Sequence, residues 1–271
     1  MNPPEHSPGS PLRKPLSPDF RACVLIPSYN SGPLLEKTVA GVLEYWPEVI
    51  VILDGSDDGS GDFLAAPARE PAGLHVVRRR TNGGKGAAVL SGLELAEQLG
   101  MTHAAVFDAD GQHDAGDLPR FMEASRNHPE AMILGLPLFG PDAPPVRLRG
   151  RKIGNWWTNL STLWGGIGDS LVGFRIYPVT RSLRILRGIG DGRGFDFDTQ
   201  LAIRLYWQGV PPLNIPTRVR YLSRESGGVS HFRYLRDNIL LVRVHTGLFF
   251  RSLLLWPRLI RFRLRGPIPA P

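Results

Sequence analysis

The feature that most constrains this chain is the alternation of short apolar runs with segments of helical spacing. The clearest helical segments are 34–46 and 84–100, and the second stops at Gly100. The order strand, helix, strand, strand, helix, strand is typical of a parallel sheet flanked by helices. We therefore predict an α/β fold with a Rossmann-like, mostly parallel sheet. The predicted strands are 21–27, 49–54, 74–79, 103–108 and 131–136.

A polar, turn-rich loop follows each of the first four predicted strands. Because the carboxyl ends of parallel strands meet at one edge of a sheet, we expect these loops to converge on a single crevice. One such loop alone is most often a plain turn, but four in succession indicate a nucleotide site. The loops are PSYNSG at 27–32, DGSDDGSGD at 54–62, TNGGKG at 81–86 and DADGQHD at 108–114.

The first three loops offer contacts for a nucleotide. Pro27 ends the first predicted strand, Tyr29 presents a ring on which a base could stack, and Asp54 can accept a hydrogen bond from a base or a ribose. The glycines of TNGGKG allow close backbone approach, and Lys85 supplies a cation for a base or a phosphate. The loop is not a P-loop, because no Ser or Thr follows Lys85, and the first strand lacks the G-x-G-x-x-G of dinucleotide folds.

The fourth loop places two carboxylates at a strand end. Asp108 and Asp110 are separated by a single residue and repel each other unless a cation lies near them. Hard oxygen ligands suit Mg²⁺ or Mn²⁺ rather than zinc. We therefore predict a divalent metal that bridges the protein to a diphosphate. The alternative is an aspartate-rich surface turn without a ligand, and only the other loops decide between the two.

Composition and charge limit the partners of the chain. With 271 residues, of which 42% are apolar, the chain can bury a core. Its single cysteine, Cys23, lies in an apolar run and excludes a disulfide framework, which fits a reducing, cytoplasmic setting. A formal net charge of +7 favours anionic partners. Since no nucleic-acid-binding module is recognisable, we expect nucleotide phosphates or an acidic membrane surface rather than RNA or DNA.

The two ends of the chain differ from its centre. Residues 1–20 contain six prolines and no signal-peptide core, and we expect a disordered leader. Residues 218–265 contain eleven arginines and only two acidic residues. Arginines interrupt every apolar stretch there, so a transmembrane span is not expected. We predict that 236–271 form a basic amphipathic tail on the inner face of the membrane. The alternative is that these helices pack on the protein's own core or in an oligomer interface.

Taken together, the four loop motifs resemble the successive signatures of family 2 glycosyltransferases with the GT-A fold. The resemblance covers about residues 20–235 and is greatest to dolichyl-phosphate and polyprenyl-phosphate glycosyltransferases. It implies that Mg²⁺ or Mn²⁺ is the cofactor and that Asp108 contacts the metal or the ribose. The implied nucleotide-pocket residues are Pro27, Tyr29, Asp54 and Lys85, and the implied metal ligands are Asp108, Asp110 and Gln112, with Asp110 also counted as catalytic.

Three downstream segments extend the resemblance. In GDSLVGFRIYP (168–178), Arg175 would hold a phosphate of the donor or acceptor, or else form a salt bridge within the fold. In RGFDFDTQ (193–200), Asp196 or Asp198 would be the general base, although either could instead stabilise a helix N-terminus. A lipid-phosphate acceptor, already anionic, would need no base. In YLSRESGGVSHF (221–232), Arg224 would close over the donor phosphates.

Three positions depart from the family pattern. Val172 stands where serine is usual, His231 where lysine is common, and Leu53 where a first aspartate is usual. A neutral histidine would neutralise a diphosphate less well than lysine, so Arg224 would have to compensate. Leu53 leaves the contacts to the base undefined.

The resemblance implies a metal-dependent, inverting glycosyltransferase in residues 21–235. It would move a hexose from a UDP- or GDP-sugar to a lipid or lipid-phosphate acceptor at the membrane surface. Two alternatives stay open: a soluble transferase acting on a saccharide or protein hydroxyl, and a catalytically silent nucleotide-sugar-binding partner of a membrane complex. A sugar nucleotidyltransferase is excluded, because PSYNSG occupies the place of its G-x-G-T-R loop.

Overall fold

A computed structural model describes residues 19–65, 73–140, 145–189, 194, 196–220 and 234–265. Residues 1–18 of the predicted leader lie outside the described residues. The same holds for the whole predicted phosphate loop at 221–232, including Arg224 and His231.

The described chain forms a seven-stranded sheet. Its strand order is β3-β2-β1-β4-β6-β5-β7, and β6 runs antiparallel to both of its neighbours, whereas the other pairs are parallel. The predicted α/β fold with a mostly parallel sheet is therefore confirmed. The strands are β1 (Ala22–Ser28), β2 (Val49–Asp54), β3 (Leu74–Arg79), β4 (His103–Val106), β5 (Met132–Phe139), β6 (Arg175–Pro178) and β7 (Pro212–Val219).

Helices cover both faces of this sheet. The α-helices are α1 (Pro33–Leu43), α2 (Lys85–Gln98), α3 (Leu118–Asn127), α4 (Pro145–Ser161), α5 (Val179–Arg187), α6 (Phe197–Trp207) and α7 (Tyr234–Arg265), with two short 3₁₀ turns at Asp62–Ala65 and Ala115–Asp117. Side chains of α1 and α3 pack with one face of the sheet, and those of α2, α5, α6 and α7 pack with the other.

The double covering explains the composition of the central strands. All seven residues of β1 and all six of β2 are buried, so both of their faces need apolar side chains. Their parallel register pairs Ile26 with Val51 and Pro27 with Ile52. β1 continues through Pro27 to Ser28, one residue further than predicted. Burial on both sides fixes the strand ends, and with them the loops that form the site.

The C-terminal segment is one long helix rather than a tail separate from the core. One side of α7 buries Leu248, Leu259 and Phe262 in the core, where the Phe262 ring meets Tyr206 of α6 edge to face. This side of α7 therefore packs on the protein's own core, which the sequence analysis gave as the alternative to membrane binding. No helix within the described ranges has an apolar window long enough to cross a bilayer.

Candidate active site

The four predicted loops lie side by side at the carboxyl edge of β3, β2, β1 and β4. The loops after β1 and β2 are joined by reciprocal hydrogen bonds: the Asn30 amide donates to Asp57 at 2.8 Å, and the backbone N–H of Asp57 donates to the Asn30 side-chain oxygen at 3.0 Å. A carboxylate oxygen of Asp58 also accepts from the backbone N–H of Gly32 at 3.0 Å. The predicted convergence of these loops on one crevice is thus present in the fold.

Asp54 joins the loop after β2 to the loop after β3. Its buried carboxylate accepts from the backbone N–H groups of Gly83 and Gly84, at 2.9 to 3.1 Å, and from Nε of Arg79 at 2.6 Å. The two loops touch so closely that a Cβ on Gly55 would lie 2.5 Å from the backbone nitrogen of Asn82. Asp54 therefore shapes the predicted nucleotide pocket through the TNGGKG loop. A direct contact with a base or ribose stays a prediction.

Lys85 lies between two acidic residues from distant parts of the chain. Its Nζ is 2.7 Å from Oδ1 of Asp108 and 2.7 Å from Oδ2 of Asp198. Burial alone would lower the pKa of Lys85, but the two carboxylates outweigh it and hold the pKa above its ordinary value. Burial would likewise raise the pKa of Asp108, yet the charges of Lys85 and His113 outweigh it and lower that pKa. The lysine is thus a fixed cation that keeps Asp108 ionised at the strand end.

Asp110 differs from Asp108 in its surroundings. Burial, followed by repulsion from Asp108, raises the pKa of Asp110 to about 7. The carboxylate accepts from the backbone N–H of Gln112 at 3.0 Å, and no basic side chain of the described residues forms an ion pair with it. A carboxylate beside a second carboxylate, both at a partly open edge, fits a hard divalent cation bound through oxygen.

Protein groups alone would fill only part of such a coordination sphere. Within the described ranges, no group of three or more acidic, histidine or cysteine side chains is arranged to hold a metal. Asp110, Asp108 and the amide oxygen of Gln112 would leave positions for a ligand's own oxygens, as Mg²⁺ sites that share a phosphate commonly do. The residues present fit a metal that binds together with a diphosphate.

Gly173 lies directly against Asp108. A Cβ at residue 173 would be 1.7 Å from Oδ2 of Asp108, so only glycine fits there. Asp169 shapes this turn: its Oδ1 accepts from the backbone N–H groups of Leu171 and Val172, both at 2.8 Å, and from Arg151 at 2.6 Å. The segment that resembles the family motif thus forms the wall behind the strand-end carboxylates.

Arg175 points into the protein rather than into the crevice. Its guanidinium is fully buried and donates to the backbone oxygens of Val172 and Asp198, at 2.6 and 2.8 Å, and to the Tyr177 hydroxyl at 3.1 Å. This geometry favours an internal role over phosphate binding, although the internal partners are backbone oxygens and a hydroxyl rather than the anticipated salt bridge. Arg175 supports the turn on which Asp198 lies.

Both candidate bases belong to the start of α6. Asp196 is the N-cap residue, and its Oδ2 accepts from the Gln200 amide at 2.6 Å. Asp198 is 4% exposed, and burial raises its pKa even though Lys85 is adjacent. The second carboxylate oxygen of each residue is buried without a hydrogen-bond partner among the described atoms. Only Asp198 is joined to the strand-end carboxylates.

Several contributors to this site were missed in the sequence. Arg79 connects Asp54 to α2, where it donates to the Ala87 backbone oxygen at 3.1 Å and to Ser91 at 2.8 Å. Arg79 ends a predicted strand directly before the TNGGKG loop, and this position could have indicated that it belongs to the site. Asn30 and Asp57 were visible as polar residues in two predicted loops. Their mutual bonds depend on the β1–β2 register, which the sequence does not state.

The comparisons with known proteins agree with this geometry. The protein-family model described as glycosyl transferase family 2 matches residues 23–187 of this chain. An undecaprenyl-phosphate mannosyltransferase of Micrococcus luteus is 28% identical over 222 residues, which are 77% of this chain and 86% of that protein. A polyprenol monophosphomannose synthase of Mycolicibacterium smegmatis is 30% identical over 218 residues, covering 78% of this chain and 80% of that protein.

Solved structures show the same architecture. The crystal structure of glucosyl-3-phosphoglycerate synthase from Mycobacterium tuberculosis, in complex with Mn²⁺, uridine diphosphate and glucosyl-3-phosphoglycerate, aligns with a TM-score of 0.59 at 15% identity. The alignment covers 84% of this chain and 80% of that one. At this identity the likeness concerns the fold, which is the predicted GT-A fold. With the family match and the converging loops, it leads to one conclusion: the chain belongs to glycosyltransferase family 2 and is a glycosyltransferase.

Proposed function

We propose that this enzyme transfers a hexose from a UDP- or GDP-sugar to a lipid-phosphate acceptor, with inversion at the anomeric carbon. The observation that carries the proposal is the contrast between the two strand-end carboxylates. Asp108 is neutralised by Lys85, whereas Asp110 has a pKa of about 7 and no cationic partner among the described side chains. Such a carboxylate is suited to a cation that arrives with the donor.

Asp110, Asp108 and Gln112 would hold the divalent ion, which we propose to be Mg²⁺ or Mn²⁺. When bound, the ion supplies positive charge that stabilises the departing diphosphate. Lys85 would keep Asp108 ionised and correctly oriented, and Gly173 would keep the space behind it closed. Pro27, Tyr29 and Asp54 would define the nucleotide pocket, with Arg224 as a further contact for the diphosphate.

The transfer itself would be a single displacement. A phosphate oxygen of the acceptor forms a bond to the anomeric carbon on the face opposite the diphosphate. The bond between that carbon and the diphosphate oxygen breaks, and the nucleoside diphosphate leaves with the electron pair. Attack from the opposite face accounts for the inversion. The protein's part is to position both substrates and to stabilise the charge that develops on the leaving group.

The state of the candidate bases favours an acceptor that is already anionic. Oδ2 of Asp198 is bound to Lys85, and Oδ2 of Asp196 is bound to Gln200. Each carboxylate therefore has one oxygen engaged within the protein, and an ionised phosphate needs no base at all. The names of the two relatives, which refer to undecaprenyl phosphate and to polyprenol monophosphomannose, support the same acceptor class.

A hydroxyl acceptor is the competing assignment, and one observation favours it. Oδ1 of Asp198 is buried without a hydrogen-bond partner in the described structure, and burial raises its pKa. A raised pKa and an unoccupied oxygen suit proton abstraction from a saccharide or protein hydroxyl. The two assignments differ in a measurable way, since only the hydroxyl acceptor requires Asp198 as a base.

Thermal unfolding with a panel of nucleotide sugars tests the donor half of the proposal. Each sugar is added with and without Mn²⁺ or Mg²⁺, and Asp110→Asn is measured beside the wild type. A ligand at about a hundred times its Kd should add about 2.7 kcal/mol to the free energy of unfolding. We expect one nucleotide class to stabilise the wild type only when metal is present. Metal-independent stabilisation, or equal stabilisation of Asp110→Asn, would contradict the proposal.

A further inference from the structure

Exposed apolar side chains are concentrated on two neighbouring helices. Nine of the eleven large apolar side chains that are exposed among the described residues lie on α4, in the turn after it, or on α7. They are Ile153, Trp156, Trp164, Val242, Phe250, Leu253, Leu254, Ile260 and Leu264. Leu254 is 85% exposed and Leu264 is 81% exposed. A soluble surface rarely collects so many large apolar groups in one region without a partner.

α7 has apolar residues on two opposite sides. Its inner side packs in the core through Leu248 and Phe262. On the opposite side, positions 242, 246, 250, 253, 257, 260 and 264 follow one another at intervals of three or four, and together they form a single row along the helix. Every residue of this outer row except Thr246 is apolar. A helix whose only partner is the protein core would be polar along that row.

A second row beside the first is basic. Positions 243, 247, 251, 254, 258 and 261 have the same spacing, and four of them are exposed arginines: Arg243, Arg251, Arg258 and Arg261. The sequence from 238 to 265 has no acidic residue, and none of the four arginines forms an ion pair with a carboxylate of the described residues. Apolar side chains next to unneutralised arginines are the composition of a helix that lies in the headgroup region of an anionic bilayer.

The exposed residues of α4 border the same surface. The rings of Trp157 and Phe249 meet edge to face, with centroids 5.9 Å apart, and a Cβ on Gly154 would lie 3.7 Å from Nε2 of His245. α4 therefore packs directly along α7. Trp156, which is 52% exposed, adds an amphipathic ring of the type that is enriched at membrane–water interfaces.

We propose that the outer side of α7, together with the exposed residues of α4, docks this enzyme on an anionic lipid bilayer. The apolar row would enter the boundary between headgroups and acyl chains, and the arginine row would bind lipid phosphates. Pairing with a second copy of the chain is less favourable, because a symmetric contact would bring two unneutralised arginine rows together.

The proposed surface is connected to the active site through α4. Arg151 and Asn155 hold the Asp169 carboxylate, at 2.6 and 3.0 Å. Asp169 in turn shapes the turn that places Gly173 against Asp108. This further step rests on the proposed function: an enzyme docked in this way would receive a lipid phosphate from the bilayer surface beside its strand-end carboxylates.

Vesicle co-sedimentation of the full chain tests the docking surface. The vesicles are phosphatidylcholine alone and phosphatidylcholine mixed with phosphatidylglycerol. Deleting α7 would remove part of the core, so substitutions are the better probe. Leu264→Glu and Ile260→Glu change the apolar row, and Leu138→Glu, at a residue 52% exposed on β5, is the matched control. Arg251→Gln with Arg258→Gln changes the arginine row.

We expect the wild type and Leu138→Glu to bind the anionic vesicles and both apolar-row variants to lose at least tenfold in partitioning. The double arginine variant should lose about fivefold for each arginine on anionic vesicles. No vesicle binding by the wild type, or equal binding by all variants, would overturn the proposal. So would a wild-type dimer that Leu264→Glu converts to a monomer without any vesicle binding. Because no donor or acceptor is added, failure of the proposed transfer reaction would leave these results unchanged.

Discussion

The ammonium of Lys85 lies 2.7 Å from a carboxylate oxygen of Asp198, although 113 residues separate them in sequence. The same ammonium is 2.7 Å from Asp108. One cation therefore joins the start of α2, the end of β4 and the first turn of α6. Because both carboxylates share it, removing the lysine leaves two acidic groups close together with their main neutralising partner gone.

Lys85→Met should destabilise the protein by about 3 kcal/mol, since breaking a buried ion pair leaves uncompensated charge. The loss is measured by denaturant unfolding. Adding Asp198→Asn should restore part of the stability, because it removes one of the two unpaired carboxylates. Lys37→Met, at an exposed lysine of α1, is the control. Equal stabilities of Lys85→Met and Lys37→Met would mean that this ion pair contributes nothing.

Gly173→Ala should disrupt the position of Asp108. The added methyl would lie 1.7 Å from Oδ2, so either the carboxylate or the turn must move. We expect at least a tenfold loss of transfer activity and weaker binding of donor with metal, measured by calorimetry. Gly150→Ala on α4, where a Cβ meets nothing within 4 Å, should be neutral or slightly stabilising. Wild-type binding and turnover in Gly173→Ala would refute the assigned role of this glycine.

Binding of Mn²⁺ with a nucleoside diphosphate should strengthen as the pH rises through about 7, because the proton on Asp110 competes with the metal. The free energy of unfolding without metal changes with pH in the opposite direction. Without metal, the folded state keeps a proton that the unfolded state releases above its ordinary pKa, so this residue lowers stability as the pH rises to about 7. Asp110→Asn should lose both effects.

Calorimetric titrations between pH 6 and 8 follow the competition between proton and metal. Asp114→Asn is the control, since Asp114 lies in the same loop with a 54% exposed side chain. A Mn²⁺ affinity that does not change with pH, or that survives Asp110→Asn, would show that Asp110 is not a ligand.

His245 should make the protein sensitive to acid. Burial lowers its pKa to about 4, so the unfolded state binds a proton that the folded state does not between about pH 6.5 and 4. Stability therefore falls as the pH falls through this window, by up to about 3 kcal/mol from this residue.

His245→Gln should show a shallower decline of Tm with falling pH, whereas His128→Gln, at an exposed histidine, should follow the wild type. Some decline should persist in His245→Gln, because burial also lowers the pKa values of His103 and His113. Identical pH profiles for wild type and His245→Gln would contradict the prediction.

The parts of the fold that depend on local pattern could be predicted. The apolar runs of β1 and β2 are buried on both faces, so their composition alone indicates strands, and the loops after them necessarily share an edge. The four-residue strand β6 was not predicted as a strand, and its antiparallel direction depends on pairing with β4 and β5.

The side chains of the site were harder to assign, because their partners are distant in sequence. For Arg175 and Asp198 the sequence left two roles open, contact with a substrate or support of the fold. In the structure, the Arg175 guanidinium donates to the backbone oxygens of Val172 and Asp198, and the Asp198 carboxylate is paired with Lys85. Asp110 is predicted as a metal ligand from the strand-end pair and the family resemblance, and the structure adds that burial, followed by Asp108 two residues away, raises its pKa. A motif thus predicts where the site lies, but tertiary contacts are needed to distinguish a supporting charge from one that faces a ligand.

Product analysis tests the central proposal most directly. The purified enzyme is incubated with UDP- or GDP-hexoses, Mn²⁺ and a short-chain polyprenyl phosphate, and the lipid fraction is examined by mass spectrometry. We predict a lipid phosphate heavier by one hexose, one nucleoside diphosphate released per product, and no product with Asp110→Asn or with the uncharged polyprenol. Absence of a hexosyl lipid phosphate from every donor, or equal transfer to the uncharged alcohol, would contradict the proposed reaction.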